Sequence, residues 1–350
     1  MKKVLGLLSV MVLAVMLVGC SGSEESDTKR IAFVTDPVGT NPFLTQATEK
    51  LEEIYQAGTY DMEYSIMESQ DSGAWLDNIR AAVEEDYDLV IAIGWQAWDP
   101  MNEIANQYPD KAQYVCIDVD CANENIKSIT FNAAEGAFLI GAMAALVVDG
   151  LGDPTGPIGS VNANPGNGSF PWRFGLMEGA HYINNDFTQD DFIFNYTNSY
   201  TDAALAKELA IGQFTQGAKF INAASAVADF GTFEAALEKG FYTSGQDADR
   251  TNPDNEYILS TQVKYTGVVT ENIVNEFFSE DGIINGHTEL GIADGVIGAI
   301  YITDDGTNPR NEAILTDAMI VILRELADKI KNGEIIISVP LEEDYIFGQY

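Results

Sequence analysis

The sequence predicts an α/β protein of two doubly wound units, each a parallel sheet covered by helices. Three observations carry this reading. Short apolar runs alternate with stretches of helical spacing along the chain. Several of the runs, 89–94 above all, are continuously apolar, the mark of a strand covered on both faces. The alternation restarts after 126–131, and the 350 residues exceed the roughly 250–300 that one core fills.

In the first unit, 31–34 reads as a buried strand that ends at Thr35 and Asp36. Pro37, Gly39 and Pro42 then break the chain into a loop. Over 43–55, Phe43, Ala47, Leu51 and Ile54 recur on one helical face. A strand over 60–67, a helix over 75–84 and the strand 89–94 follow. The helix 98–108 is stopped by Pro109, and 114–119 is another buried strand.

The second unit opens after 126–131. The small-residue stretch 135–148 is too short to cross a bilayer and reads as a core helix. The segment 150–168 is rich in Gly, Pro and Asn and encloses a strand at 158–161. Helices are expected over 173–183, 202–214, 230–237 and 266–278, and strands over 192–196, 219–223 and 257–263. The stretch 291–302 suggests two short strands around Asp294 and Gly295. Apolar Ile314, Met319, Ile322, Leu323, Leu326 and Ile330 mark 311–331 as the longest helix.

Charge narrows the function classes. The chain has 54 Asp+Glu against 18 Lys+Arg, a formal net charge of −36. Nucleic acid is excluded as a partner, because neutralising phosphates needs Lys and Arg. Electrostatic docking on anionic lipid is disfavoured for the same reason. With 46% hydrophobic and 10% aromatic residues, this is not a disordered acidic chain.

The N-terminus reads as an address. Lys2 and Lys3 precede the uncharged apolar run 4–18, which fits a secretory h-region and is short for a membrane span. The run ends in Leu17, Val18, Gly19 and Cys20, which resembles the bacterial lipoprotein signal, a small residue before the cysteine that takes the lipid. Residues 1–19 are then a signal peptide, Cys20 the lipidated residue and 20–29 a polar tether. Several acyl chains hold a protein at a membrane where one is marginal. The expected location is the outer face of the cell membrane.

Catalytic constellations are weak. There are two histidines, His181 and His287, far apart, and His181 reads as a cation at a helix C-terminus. No G-x-S-x-G, no P-loop and no G-x-G-x-x-G occurs. Carboxylates are too numerous for a glycosidase pair to be singled out. Cys116 and Cys121 flank four residues, either as a disulfide pair or as two small buried residues, and without a nearby histidine they make no metal site. Neither a cofactor, a metal nor an enzymatic activity is expected.

Binding features are stronger. In open α/β sheets, ligands sit beyond the carboxyl ends of the strands. Asp36, Gly94 with Trp95, and Asp118 stand there in the first unit; 162–164, 198–200 and 223–225 stand there in the second. Phe43, Trp95, Trp98, Trp172 and Tyr200 are candidates to sandwich a planar ligand. Asp36 and Asp247 can each accept two hydrogen bonds from adjacent hydroxyls. Lys264, a lone cation in a strand-like run, is either a site residue or a solvated edge residue.

These residues carry a resemblance. Asp36, Gly39 and Pro42-Phe43 resemble the first loop of the basic membrane protein family of bacterial lipoproteins, the purine-nucleoside-binding receptors of ABC-type importers. Ala92 to Trp95, Tyr108 to Asp110 and Ile117-Asp118 are similar to its next segment, and Phe131 to Gly141 to its small-residue helix. Asn198 to Asp202, Gly245 to Asp249 and Thr261 to Lys264 resemble three later motifs of the same family, in the same order.

The resemblance implies the type I periplasmic-binding fold, two lobes joined by three crossovers, closing on a ligand by hinge motion. The lobes are expected as 30–128 with 264–285, and 129–263 with 286–350. It also implies a nucleoside in the interlobe cleft and delivery to a permease and ATPase. Phe43 and Tyr200 would stack on the base, Asp36 would help read it, and Asp247 and Lys264 would hold the ribose. Glu135, Trp95 and Trp172 are further cleft candidates. Leu44 stands where the family reads the base with Asn, leaving Gln46 as the substitute and the base identity open. A sugar, a signalling molecule or another heteroaromatic in the same fold, an adhesin or sensor, and a secreted hydrolase are the alternatives.

Overall fold

A computed structural model describes residues 28–349. The expected signal peptide, Cys20 and most of the tether lie outside the described residues.

Two six-stranded sheets form, each with helices on both faces. The first contains β1 (Lys29–Thr35), β2 (Met62–Glu68), β3 (Leu89–Ile93), β4 (Gln113–Ile117), β5 (Ile126–Phe131) and β11 (Gly286–Leu290), in the order β2-β1-β3-β4-β5-β11. Every pairing in it is parallel. The second contains β6 (Ile158–Asn162), β7 (Phe192–Tyr196), β8 (Phe220–Ala224), β9 (Tyr242–Asp247), β10 (Ile258–Lys264) and β12 (Ile297–Ala299), in the order β7-β6-β8-β9-β10-β12. Only β12 runs antiparallel to its neighbour. The two orders match, so each sheet reverses its winding between its first and third strands, β1/β3 and β6/β8.

The helices are α1 (Pro42–Ala57), α2 (Ser72–Glu84), α3 (Trp98–Gln107), α4 (Ala133–Gly150), α5 (Phe170–Ile183), α6 (Ala203–Thr215), α7 (Asp229–Lys239), α8 (Thr266–Phe277) and α9 (Asp317–Lys331). Local chemistry sets their starts. The Asn41 side chain caps α1 with Pro42 at its first turn, Asp71 caps α2, Asp202 caps α6 and Thr316 caps α9. The longest is α4, at 18 residues; it is apolar enough to cross a membrane but lies 78% buried, as a core helix. It packs on α5 at backbone distance. A Cβ at Gly141 would lie 2.1 Å from Leu176 O, and one at Gly179 2.0 Å from Phe138 O. Only glycine fits there.

Four expectations are corrected. The chain crosses between sheets near Asn132, Tyr265 and Gly291, not at 128/129, 263/264 and 285/286, because β5 stays in the first sheet to Phe131, β10 runs to Lys264, and β11, a strand the sequence does not announce, pairs with β5. Residues 286–290 therefore belong with the first sheet. Around Asp294, a single helical turn at Ile292–Asp294 precedes the one strand β12. The last helix starts at Asp317, not 311, and is not the longest, because Thr316 caps it after a turn. Finally, β9 was not expected at all. Its residues, Tyr-Thr-Ser-Gly-Gln-Asp, are polar, yet all but Tyr242 are buried.

Candidate functional site

A cleft of about 510 Å³ opens between the carboxyl ends of the two sheets. It takes its walls from both reversal points, where loops diverge and leave a crevice. The first sheet contributes Asp36 after β1, Phe43 and Leu44 at the start of α1, Gly94 to Gln96 after β3, Asp118 after β4, and Phe131 at the end of β5. The second contributes Ala163 and Asn164 after β6, Trp172 on α5, Tyr200 after β7, Ala226 after β8, Asp247 at the end of β9 and Lys264 at the end of β10. Such a volume suits a small molecule.

The backbone is strained here. Asp118 (φ 68°), Ala226 (φ 57°) and Asp247 (φ 73°) take left-handed conformations that L-residues avoid. All three line the cleft, as such outliers tend to at ligand sites.

Among the described residues lining the cleft, Lys264 is the one cation, against Asp36, Asp118 and Asp247. Its Nζ donates to Asp118 Oδ1 at 2.8 Å. The same ammonium lies 5.1 Å from the ring centre of Phe131, 5.2 Å from Trp172 and 5.6 Å from Phe43, within cation–π range. Lys264 is buried and β10 lies between β9 and β12. The solvated-edge reading is thereby removed. Beside it, burial raises the Asp247 carboxyl above the usual carboxylate range, and the Lys264 charge holds it back. Gln246 Nε2 donates to Asp247 Oδ2 at 3.2 Å.

At the other end, Asp36 accepts from Trp75 Nε1 at 3.0 Å and from Gln96 Nε2 at 2.5 Å. Half-burial pushes its carboxyl upward, and the Trp75 bond opposes that. Tyr200 is 43% exposed, and Asn164 Nδ2 donates to its hydroxyl at 3.1 Å. Trp95, 63% exposed, stands at the rim. This arrangement can flank a flat ring with Phe43, Trp172 and Tyr200, and offers a charged donor with acceptors at the Lys264 end and a carboxylate acceptor at the Asp36 end.

The profile of ABC transporter substrate-binding proteins of the PnrA-like kind matches residues 28–340. The chain belongs to this family. Basic membrane protein B of Borreliella burgdorferi is 26% identical over 358 residues, covering 97% of each chain. An uncharacterized lipoprotein of Pyrococcus furiosus is 26% identical over 385 residues, covering 98% of this chain and 95% of its own. The solved solute-binding protein of an ABC transporter system from Aeropyrum pernix superposes with a TM-score of 0.76 at 20% identity, over 90% of this chain and 95% of that one. Its fold is thus of the type I periplasmic-binding kind. As a member of the PnrA-like family the protein is an ABC transporter substrate-binding protein, not an enzyme, with a small-molecule ligand and a permease as partners. Relatives named as lipoproteins and membrane proteins fit a membrane-anchored, outward-facing location.

Of the nine site residues expected from sequence, Asp36, Phe43, Trp95, Trp172, Tyr200, Asp247 and Lys264 meet at this one cleft. Gln46 and Glu135 lie elsewhere. Gln46 Nε2 sits behind the wall, donating to the carbonyls of Pro42 (3.0 Å), Asp247 (3.0 Å) and Lys264 (3.3 Å). Its amide nitrogen is turned to backbone carbonyls, and the side chain does not line the cleft. Glu135 Oε2 accepts from Ile292 N–H at 2.6 Å, fastening α4 to the crossing after β11. Burial raises the Glu135 carboxyl, and that backbone bond opposes it. Sequence reasoning left two partners out of its site set. Asp118 was visible as an acid at a strand end; Gln96 carries no sequence signal, since only the fold brings it to Asp36.

Proposed function

We propose that the protein captures a nucleoside, a purine nucleoside in the first instance, in the interlobe cleft and hands it to a membrane permease. The observation that carries this reading is the Lys264 ammonium held between aromatic faces with Asp118 and Asp247 beside it. A ring slot beside a paired donor and acceptor matches a flat base joined to a diol. In this reading Phe43 and Tyr200 stack on the base, Asp36 with Gln96 reads its edge, and Lys264 and Asp247 hold the ribose hydroxyls. Binding closes the cleft without covalent chemistry. The leader ending at Cys20 supplies the lipid anchor that keeps the receptor beside its permease.

Calorimetric titration of the chain carrying Cys20→Ser against a nucleoside panel tests the proposal. Heat of binding to purine nucleosides, and not to free sugars, is expected; silence across the panel sinks it. A second reading is favoured by Leu44, which lines the cleft as an apolar side chain where the family carries an amide. It replaces the purine with another flat or sugar-like ligand. Mass spectrometry of whatever is released from freshly purified protein separates the two, because it presumes no ligand class.

A further inference from the structure

Cys116 is the fourth residue of β4, and Cys121 follows on the turn that leads toward β5. Both are buried. Their sulfurs are 2.9 Å apart, while a bonded pair lies about 2.05 Å apart. The sulfurs need to approach by less than about 1 Å to bond. The approach is held from a third side: Ser128, register partner of Cys116 on β5, accepts from the Cys121 N–H through Oγ at 3.0 Å. The turn so enclosed contains Asp118, left-handed at φ 68°, whose N–H donates to Ile129 O at 2.7 Å. It also contains the carboxylate that receives Lys264 in the cleft.

We propose that Cys116 and Cys121 form an intramolecular disulfide that clamps the Asp118 turn. This rests on the exported location above, since oxidising compartments are where disulfides persist. The chemistry is exchange with a dithiol–disulfide oxidant of that compartment, acting as the chain folds. The Cys121 thiolate attacks one oxidant sulfur and expels the other as a thiolate. The Cys116 thiolate then attacks the Cys121 sulfur and expels the second oxidant sulfur. The chain loses two protons and two electrons, and the oxidant becomes a dithiol. Cys121 suits the first role. Hydrogen bonding with Cys116 and with Ser128 holds its thiol below the usual range against the opposing effect of burial, whereas burial pushes Cys116 well above.

The test is made on the full chain expressed through the export route and quenched in acid. It is alkylated in denaturant without reductant and mapped by mass spectrometry. A peptide linking Cys116 to Cys121, two hydrogens lighter than the dithiol and alkylated only after reduction, is expected. Quantitative alkylation of both thiols before reduction, or a bond to any other cysteine, overturns the proposal. The clamp is tested separately with the double variant Cys116→Ala, Cys121→Ala, whose far-ultraviolet circular dichroism reports folding. Nucleoside affinity several-fold weaker than wild type, with an unchanged spectrum, is expected; equal affinity overturns the clamp. If wild type binds no nucleoside, the ligand assignment fails while the linked peptide still decides the disulfide.

Discussion

The two sheets share one winding order and differ in what they bury. At the centre of the first, β3 is Leu-Val-Ile-Ala-Ile, wholly buried and wholly apolar. At the centre of the second, the strands bury Ser160, Asn162, Asn222, Thr243, Ser244, Ser260, Thr261 and Gln262. Most of those groups find partners in neighbouring side chains or backbone: Ser244 Oγ donates to Asn222 Oδ1 at 2.7 Å, Thr243 Oγ1 to Ile221 O at 2.6 Å, and Ser260 Oγ to Ile300 O at 2.7 Å. The first sheet is held by non-directional burial. The second is held by directional bonds, which specify a register but lose heavily when one partner goes.

The largest test of this contrast lies at the close contact between α4 and α5 in the second unit. Gly179→Val drives a side chain into Phe138 O across the α4–α5 contact. A loss above about 4 kcal/mol is expected, enough to abolish a cooperative melt of that half. Scanning calorimetry should retain a transition for the first unit.

A second test uses protons. Asp229 is fully buried; its carboxyl is pushed up to about 8 by desolvation, while Arg250 and the Ser225 N–H oppose this. The folded state therefore holds a proton that the unfolded chain releases near pH 4. Its stabilising effect is complete below about pH 4 and fades as pH rises toward 8, by up to about 1.4 kcal/mol per unit. Asp229→Asn keeps the acceptor for Ser225 and should flatten that slope in urea titrations at pH 5 and 8. An unchanged slope would place the titration elsewhere.

Smaller effects compare the two sheets directly. Asn222→Ala strands the Ser244 hydroxyl and should cost about 1–3 kcal/mol. Ile91→Val in β3 should cost about 0.5–1.5 kcal/mol. Denaturant midpoints measured side by side would remove the contrast if the order reversed. Smallest is the effect of salt. With a net charge of −36, screening of self-repulsion should raise the midpoint of both units together. A flat response would show that the acids are already accommodated.

The same difference explains what could be read from the sequence. Runs such as Leu89–Ile93 announce a covered strand by hydrophobicity alone. Tyr242–Asp247 gives no such signal, because its burial is underwritten by partners 20 and more residues away, such as Asn222 for Ser244. Gly286–Leu290 fails for the opposite reason, as an edge strand exposed along most of its length. The cleft follows the same logic. Aromatics and acids at strand ends were legible from position and from the family likeness. Gln46 is ambiguous in sequence, since an amide one turn into a helix can face a ligand or a neighbouring backbone, and only the packed fold decides.

Gln46 then acquires a mechanical meaning. It stands on α1 beside the first sheet, yet its amide grips the last carbonyls of two strands of the second. Material on a rotation axis does not travel. An opening swing that preserves these bonds keeps Gln46 close to its axis, like the pin of a door.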